Sequence, residues 1–407
     1  MSNLGVCGVC TIISKNYLAF ARVLAQSYLA IHPEQTFYVL LVDRKTPADN
    51  FAEEPFEVYY AEEIGVPNFL QHAFKFDILE LNTNVKPSFL KYLFLRQNVE
   101  KLVYVDPDIC FYSSTDNLFA LLDKYSILIT PHCVEPIQDD LRPSEQDYLK
   151  AGVYNLGFIA MRKSKEAMKM LDWWESRCLS LGFNEVRSGL FVDQCWINFV
   201  PCFFESVLIL KDRGYNMAYW NLHERVIEKV LGGWLVNGQD KLVFFHFSGI
   251  SIEAADSEIS RHQNRFTLET RPDLTELFSV YRQALRSAMD EKKDEYQYSY
   301  GCFSNGTPIS LFARRIFSKI DASLGKENPF DSNGPYYEWA KQNRLLESRR
   351  IENKYTSLNY NKSDFRLRAI SAALKVALRI LGVERYSLLM QYLSYISILR
   401  NQKELFK

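Results

Sequence analysis

The chain has 407 residues, of which 47% are apolar and 24% are charged. This is ordinary globular usage, and it excludes disorder, collagen and coiled coil. Because 48 Lys and Arg residues nearly balance 49 Asp and Glu residues, no overall basic field is available for binding nucleic acid. Two or three structural units are expected at this length.

Apolar runs that alternate with helical segments fill the first hundred residues. Residues 6–13, 37–42 and 102–105 are predicted strands, and residues 17–31 and 86–97 are predicted helices. This alternation predicts a parallel sheet covered by helices on both faces. Ligands of such sheets bind beyond the carboxyl ends of the strands.

The later part of the chain is less regular. Residues 154–161 and 242–247 are predicted strands, and residues 168–181 and 192–200 are predicted helices. Residues 290–365 are rich in Lys, Glu, Asn, Ser and Tyr, which predicts irregular connections around short helices. We therefore expect three regions: a main domain over 1–250, a helical or irregular accessory region over 251–364, and a basic amphipathic helical tail over 365–407.

The tail, residues 365–407, carries eight basic residues against two acidic ones. On a helix, Arg368, Lys375 and Arg379 share one face, and leucines form another. This pattern is typical of a helix that lies on an anionic membrane surface. A helix docked on the main domain, with its basic face in solvent, explains the pattern equally well.

The sequence also predicts a compartment. The N-terminal segment lacks the basic start and apolar core of a signal peptide, and no apolar run reaches the ~18–20 residues that span a bilayer. A cytoplasmic protein is expected, with its eight cysteines reduced. Cys7 and Cys10 lie on a predicted strand and point to opposite faces, so core packing is expected there rather than zinc binding.

Two aspartates follow the predicted strand over residues 102–105. Asp106 and Asp108 alternate along the chain, so both can face one ion, and Pro107 stiffens the turn between them. Carboxylates suit Mg²⁺ or Mn²⁺, which could bridge a diphosphate and offset charge on a departing nucleotide. His246, in another apolar strand, is either a buried core histidine or a third ligand.

Taken in order over residues 5–250, these segments resemble GT-A glycosyltransferases. The resemblance is greatest to family eight, which includes glycogenin and bacterial lipopolysaccharide galactosyltransferases. The matching segments are Thr11-Ile-Ile-Ser-Lys-Asn-Tyr17, Ala25-Gln-Ser-Tyr28, His32-Pro33, Asp43, Lys86-Pro-Ser-Phe-Leu-Lys91, Val103-Tyr-Val-Asp-Pro-Asp108, Tyr154-Asn-Leu-Gly-Phe-Ile-Ala-Met161, Asp193-Gln194 and Phe245-His-Phe-Ser-Gly249.

The resemblance implies a fold and a set of site residues. The fold is α/β: a Rossmann-like, nucleotide-sugar-binding GT-A fold with a mixed, mostly parallel central sheet and a helical C-terminal extension. Asp106, Asp108 and His246 would bind Mn²⁺ or Mg²⁺, and Asp193 and Gln194 would lie at the reactive carbon of the sugar. The implied donor contacts are Thr11, Ile13, Ser14, Asn16, Tyr17, Asp43, Lys86, Lys91, Asp106, Pro107, Asp108, Asn155, Gly157 and Asn216, with the choice between the two lysines left open.

Two segments depart from the family pattern. The Lys-Pro-Trp expected after His-Phe-x-Gly is absent, and residues 250–253 stand in its place. Residues 214–225 are not typical of family eight and resemble uncharacterised bacterial glycosyltransferases that could form a separate family. Trp220, Asn221 and His223 are predicted to contribute to a sugar or acceptor pocket. The alternative for this segment is a turn and helix start with Trp220 in the core.

The implied activity is transfer of a sugar from a nucleotide-sugar, expected to be a UDP-hexose, to an acceptor hydroxyl with retention of anomeric configuration. The acceptor would be a glycan or lipid-linked intermediate of cell-surface polysaccharide or lipopolysaccharide synthesis at the inner membrane face. A catalytically silent GT-A module that binds a glycan or scaffolds a complex is one alternative. A sugar nucleotidyltransferase is another, although its Gly-rich loop is represented only by Gly5 and Gly8. No Gly-x-Ser-x-Gly elbow supports a Ser-His-Asp hydrolase.

Overall fold

A computed structural model describes residues 6–252, 257–289, 296–320, 328–346 and 365–406. The chain divides into two compact units, Met1–Tyr300 and Gly301–Lys407. The boundary predicted at residue 250 lies inside the first unit, because Phe278 and Tyr281 pack in one core with Phe245 and Phe247.

The first unit contains the described strands, which are β1 Cys7–Ile13, β2 Thr36–Leu41, β3 Glu57–Tyr60, β4 Lys101–Val105, β5 Ile109–Phe111, β6 Ile127–Pro131, β7 Tyr154–Arg162, β8 Asn184–Glu185, β9 Leu190–Phe191, β10 Val207–Ile209, β11 Met217–Ala218, β12 Ile227–Val230, β13 Gly233–Val236, β14 Asp240–Lys241 and β15 Phe244–His246. Its described helices are α1 Leu18–Leu29, α2 Phe69–Lys75, α3 Ile78–Asn84, α4 Lys86–Arg96, α5 Asp116–Leu121, α6 Glu145–Ala151, α7 Lys165–Leu181, α8 Val200–Phe203 and α9 Thr275–Ala288.

The central sheet has seven strands in the order β10-β6-β7-β4-β1-β2-β3. Every strand pair is parallel except the two that involve β7, which runs antiparallel to β4 and to β6. Most residues of β1, β2 and β4 are buried, as expected for strands covered on both faces. The predicted α/β class and the mostly parallel sheet are confirmed.

The helix predicted over residues 192–200 is only partly present. A 3₁₀ helix, Cys195–Phe199, leads there into the short helix α8. Val192 has a φ of 41°, a left-handed conformation that a β-branched residue rarely adopts and that cannot belong to a right-handed helix. The chain therefore turns at Val192, and the Asp193 side chain that follows is buried.

A second, three-stranded sheet has the order β11-β15-β5. Strand β15 runs parallel to β11 and antiparallel to β5, so His246 lies opposite Ala218 on one side and Ile109 on the other. Because Asp108 directly precedes Ile109, this register places His246 beside the aspartate pair at the end of β4.

The second unit contains helices α10 Leu311–Phe317, α11 Pro335–Gln342 and α12 Phe365–Ile396. The Tyr336 hydroxyl donates to the Ala313 carbonyl at 2.7 Å, and the Phe406 ring lies against those of Phe312 and Trp339. The predicted helical C-terminal extension is confirmed.

Helix α12 is broken at Gly382, which has a φ of 73°. The helix has no buried residue, and its exposed large apolar side chains are Phe365, Ile370, Val376, Leu378, Ile380, Val383, Leu388, Tyr392, Leu393 and Tyr395. Among the described residues, no helix combines the length and the apolar character needed to cross a membrane.

Candidate metal and substrate site

Asp106, Asp108 and His246 converge at the end of β4. Each offers one ligand atom, and these atoms lie within 4.8 Å of one another. His246 Nε2 is 2.9 Å from Asp108 Oδ1 and 4.0 Å from Asp106 Oδ2. The Asp106 and Asp108 side chains are 31% and 19% exposed, and that of His246 is 3% exposed. The cluster therefore opens to solvent through its carboxylates.

Backbone hydrogen bonds fix this cluster at both ends. The Asp106 N–H donates to the Gly157 carbonyl of β7 at 2.9 Å, and the Phe247 N–H donates to the Asp108 carbonyl at 2.8 Å. The two aspartates are thus tied to the central sheet and to the small sheet at the same time.

The spacing of these atoms agrees with a small divalent cation. Ligand atoms about 2.1 Å from one ion lie about 3 Å apart when adjacent and about 4.2 Å apart when opposite. The two distances from His246 Nε2, 2.9 and 4.0 Å, match these separations. Two carboxylates with one imidazole are also donors that suit Mn²⁺ or Mg²⁺. The residues present therefore fit the predicted cation.

Without a cation, Asp108 and His246 stabilise each other electrostatically. Burial alone would raise the pKa of Asp108, but the His246 imidazole outweighs burial and lowers it. Burial alone would lower the pKa of His246, and Asp108 and Asp106 reverse that shift and raise it. A bound cation would replace His246 as the positive partner of Asp108, because it is the larger local charge, and His246 would bind it as a neutral ligand.

A buried ion pair lies next to the cluster. Lys86 Nζ is 2.7 Å from Asp193 Oδ2, and the two side chains are 1% and 2% exposed. The same ammonium donates to the Leu156 carbonyl at 2.8 Å and lies 3.9 Å from Asp106 Oδ1. Burial raises the pKa of Asp193, and Lys86 opposes that rise.

Of the two candidate lysines, Lys86 is therefore the one beside the aspartates. The Lys91 ammonium is held by Asp172 and Glu175 of α7, at 2.8 and 2.6 Å. The sequence did not reveal one neighbour of Lys86, Tyr104. Tyr104 places its ring 4.2 Å from the ammonium and donates its hydroxyl to Asp106 at 2.7 Å. A lone tyrosine within an apolar strand gives no sequence signal for such a role.

Gln194 has both ends of its amide bound to backbone. Its Oε1 accepts the Leu156 N–H and its Nε2 donates to the Ala151 carbonyl, both at 2.9 Å. The residue joins α6 to β7, and it is 7% exposed. In the described structure it holds backbone in place directly behind the cluster.

The Asn-x-Gly segment of β7 lies behind His246. A Cβ atom on Gly157 would fall 2.3 Å from His246 Cε1, so only glycine leaves room for the imidazole. Asn155, 8% exposed, accepts the Gly157 N–H and the Asn216 amide. Asn216 is itself 1% exposed and contacts His246.

The predicted acceptor-pocket residues divide into two groups. Trp220 and Asn221 are buried, and the Trp220 ring lies edge-on to His246 with ring centroids 4.9 Å apart. His223 is nearer the surface, with Nε2 3.2 Å from the Glu135 carbonyl oxygen. The Trp220 ring thus lies against His246, and Asn221 donates to the Asn216 carbonyl at 3.0 Å rather than facing an open pocket.

The predicted nucleotide-binding residues at the end of β1 differ in accessibility. Thr11, Ile13 and Ser14 are buried, and the Ser14 hydroxyl accepts the Asn82 amide at 2.8 Å. Asn16 and Tyr17 are exposed. The Tyr17 ring stacks on Phe20 at 4.9 Å, and Asp108 adds to the effect of burial in raising the Tyr17 pKa.

Asp43 at the end of β2 is 1% exposed. Its two carboxylate oxygens accept the backbone N–H groups of Lys15 and Ser299, each at 2.8 Å. It therefore ties the loop after β1 to the C-terminal end of the first unit.

The segment after β15 brings two basic residues near the cluster, which the sequence did not reveal. The Arg261 N–H donates to the Gly249 carbonyl at 3.2 Å, and a Cβ on Gly249 would fall 2.4 Å from the His262 ring. Burial and Arg261 lower the pKa of His262, whereas Asp108 raises it. Both residues contact Gly249, the residue after which the resemblance led us to expect Lys-Pro-Trp.

No protein family model matches the chain. The uncharacterised protein YfnF of Bacillus subtilis strain 168 is 25% identical over 282 residues, which cover 68% of this chain and 90% of that protein. YfnD of the same organism is 25% identical over 248 residues, which cover 60% of this chain and 77% of that protein.

A solved structure of the galactosyltransferase LgtC with donor and acceptor sugar analogues is 15% identical to this chain. The match covers 71% of this chain and 100% of that chain, with a TM-score of 0.42. These identities and this TM-score are low, so the function of this protein must be inferred from its own residues.

Proposed function

We propose that the protein is a metal-dependent glycosyltransferase that moves a hexose from a UDP-sugar to an acceptor hydroxyl. The convergence of Asp106, Asp108 and His246 at the end of β4 carries this proposal. Two carboxylates and an imidazole around one cation form a site for a diphosphate. The exposed ring of Tyr17 is the contact that we propose for the nucleotide base.

A cation held by these three residues would neutralise the diphosphate and stabilise it as it leaves. Lys86 contributes a second, fixed positive charge beside Asp106 and holds Asp193 in place. The Asp193 carboxylate would stabilise positive charge that develops at the sugar carbon. Retention follows from the family resemblance. NMR of the product anomer tests it, and an inverted product would remove retention from the proposal.

A panel of nucleotide-sugars tests donor binding directly. With Mn²⁺, a UDP-hexose should raise the melting temperature of the full chain, because a ligand that binds only the folded state stabilises it by about 2.7 kcal/mol at a hundred times its Kd. Chelation of the metal should abolish the shift. A shift with nucleoside triphosphates alone would instead favour a nucleotidyltransferase. A shift with glycans alone would favour a catalytically silent module.

The exposed helix α12 suggests where the acceptor lies. We propose that it binds an anionic membrane surface and brings the enzyme to a lipid-linked acceptor at the inner membrane face, in cell-surface polysaccharide or lipopolysaccharide synthesis. Its many exposed apolar side chains accompany four basic residues before Gly382, at positions 366, 368, 375 and 379, with no acidic residue among them. Apolar burial and attraction to anionic lipid act together in such helices.

A full-length variant in which these four basic residues are changed to Gln tests membrane binding. Each basic residue near an anionic surface contributes about 1 kcal/mol, so binding to phosphatidylglycerol-containing vesicles should fall about a hundredfold or more. Sedimentation with vesicles measures this loss, and donor hydrolysis should be unchanged. The matched control changes four exposed lysines of the first unit to Gln, namely Lys124, Lys150, Lys165 and Lys211. Equal losses in both variants would remove α12 as the binding element.

A further inference from the structure

The segment that departs most from the family pattern lies directly against His246. Asn216 precedes β11 and is 1% exposed. Its Oδ1 lies 3.3 Å from His246 Nδ1, on the side of the ring opposite the aspartates. The other ring nitrogen, Nε2, lies 2.9 Å from Asp108. The imidazole is therefore held between Asn216 and the candidate cation site.

A chain of buried hydrogen bonds determines which way the Asn216 amide points. The His132 Nδ1 lies 3.1 Å from the Val153 carbonyl, which can only accept, so Nδ1 carries the proton. His132 Nε2 then accepts from Asn155 Nδ2 at 3.3 Å. This leaves Asn155 Oδ1 to accept from Asn216 Nδ2 at 3.0 Å.

The same logic extends to His246. The Asn216 Nδ2 group also donates to the Thr130 hydroxyl at 2.9 Å, so both of its protons are used. Asn216 Oδ1 is then the acceptor that faces His246, and His246 Nδ1 must carry a proton. In the neutral ring, Nε2 is left with a lone pair that points toward the carboxylates.

Neighbouring residues hold this arrangement in place. Asn221 donates to the Asn216 carbonyl at 3.0 Å and accepts the Ala218 N–H at 2.9 Å. The edge-on Trp220 ring fixes the plane of the imidazole. Asn216 has a φ of 53°, a left-handed conformation that asparagine and glycine tolerate.

We infer that Asn216 is a positioning residue for the candidate metal centre: it holds His246 as the Nδ1–H tautomer, so that Nε2 is free to bind a divalent cation. The inference rests on the proposed function, because it presumes that the cluster binds a metal. It assigns a role to the segment over residues 214–225 that the family resemblance left unexplained. Partners of this kind typically change metal affinity by about 10- to 100-fold.

The Asn216→Gly variant removes the amide and keeps a residue that accepts the left-handed backbone. Asn68→Gly is the matched control, because Asn68 has a φ of 52°, is exposed, and makes no side-chain capping bond. Mn²⁺ binding to the full chain, measured by the EPR signal of the free ion, should weaken about 10- to 100-fold in Asn216→Gly and stay unchanged in Asn68→Gly. Wild-type affinity in a folded Asn216→Gly would overturn the inference and leave the metal site intact.

A second measurement uses the wild type alone, loaded with diamagnetic Mg²⁺ in place of Mn²⁺. The chain has six histidines, so long-range ¹H–¹⁵N spectra of its imidazoles can be assigned. His246 should give the Nδ1–H pattern, and an Nε2–H pattern in the Mg²⁺-loaded protein would refute the inference. If the wild type binds no Mn²⁺, the proposed function fails, and the inference about metal positioning fails with it.

Discussion

Asp108→Asn is expected to lower the Mn²⁺-dependent turnover of a UDP-hexose by about 10²–10³-fold, the loss typical when a charge-stabilising group is removed from an active site. Asn keeps the size of the side chain but removes the negative charge that faces His246 at 2.9 Å. It therefore weakens the cation site without opening a cavity. Donor hydrolysis by the full chain measures the effect.

Asp116→Asn is the matched control for this substitution. Asp116 begins α5, its side chain is 81% exposed, and its carboxylate lies 3.9 Å from the His32 imidazole. Turnover should be the same as in the wild type, because a fully hydrated carboxylate contributes little. Equal turnover in Asp108→Asn and the wild type would rule out a metal held by this cluster as the source of activity.

Lys86→Met is expected to destabilise the protein by about 3–5 kcal/mol, because it leaves the Asp193 carboxylate buried without its partner. The folded protein can relieve this cost by keeping Asp193 protonated. The unfolded chain releases that proton above about pH 4. Above this pH the folded variant therefore binds more protons than the unfolded variant, and the loss of stability should grow as the pH rises. Denaturant unfolding at several pH values measures both effects.

Two further variants separate this effect from a general loss of packing. Lys91→Met lies on the same helix and removes a more exposed pair with Asp172 and Glu175, so it should cost no more than about 1 kcal/mol. Lys86→Met combined with Asp193→Asn should recover most of the stability and its pH independence, since the buried charge is gone. A single Lys86→Met variant as stable as the wild type at neutral pH would contradict the burial argument.

The sequence correctly predicted those strands and helices that have a clear local signal, such as an apolar run or a proline in the first helical turn. Strands β1, β2 and β4 are continuous apolar runs, and α4 begins with Pro87 in its first turn, where proline is tolerated. Short strands such as β5 were missed, because three residues carry too little periodicity. The turn at Val192 could not be predicted, because burial of Asp193 against Lys86 overrides local preference there.

The sequence identified residues of the candidate site, but it could not show how those residues are arranged around one another in the fold. Asp106, Asp108 and His246 were predicted together, and the described structure brings their ligand atoms together. Asn216, Trp220 and Asn221 were predicted to contact substrate, yet they are buried. The register of β11 against β15 brings Asn216 and Trp220 beside His246. Side-chain orientation of this kind depends on pairings between distant segments, which no local pattern encodes.

The register of β5 against β15 also bears on how the protein reaches its native state. Asp108 and His246 are far apart along the chain, and they become neighbours only when these two short strands pair. Pairing of such distant segments is slow, because the intervening loop must first be closed. A nascent or truncated chain that lacks β15 would have the two aspartates but not the imidazole. If the proposed function holds, uptake of Mn²⁺ during refolding would report the pairing of β5 with β15, and the ion would favour chains in which these strands have paired.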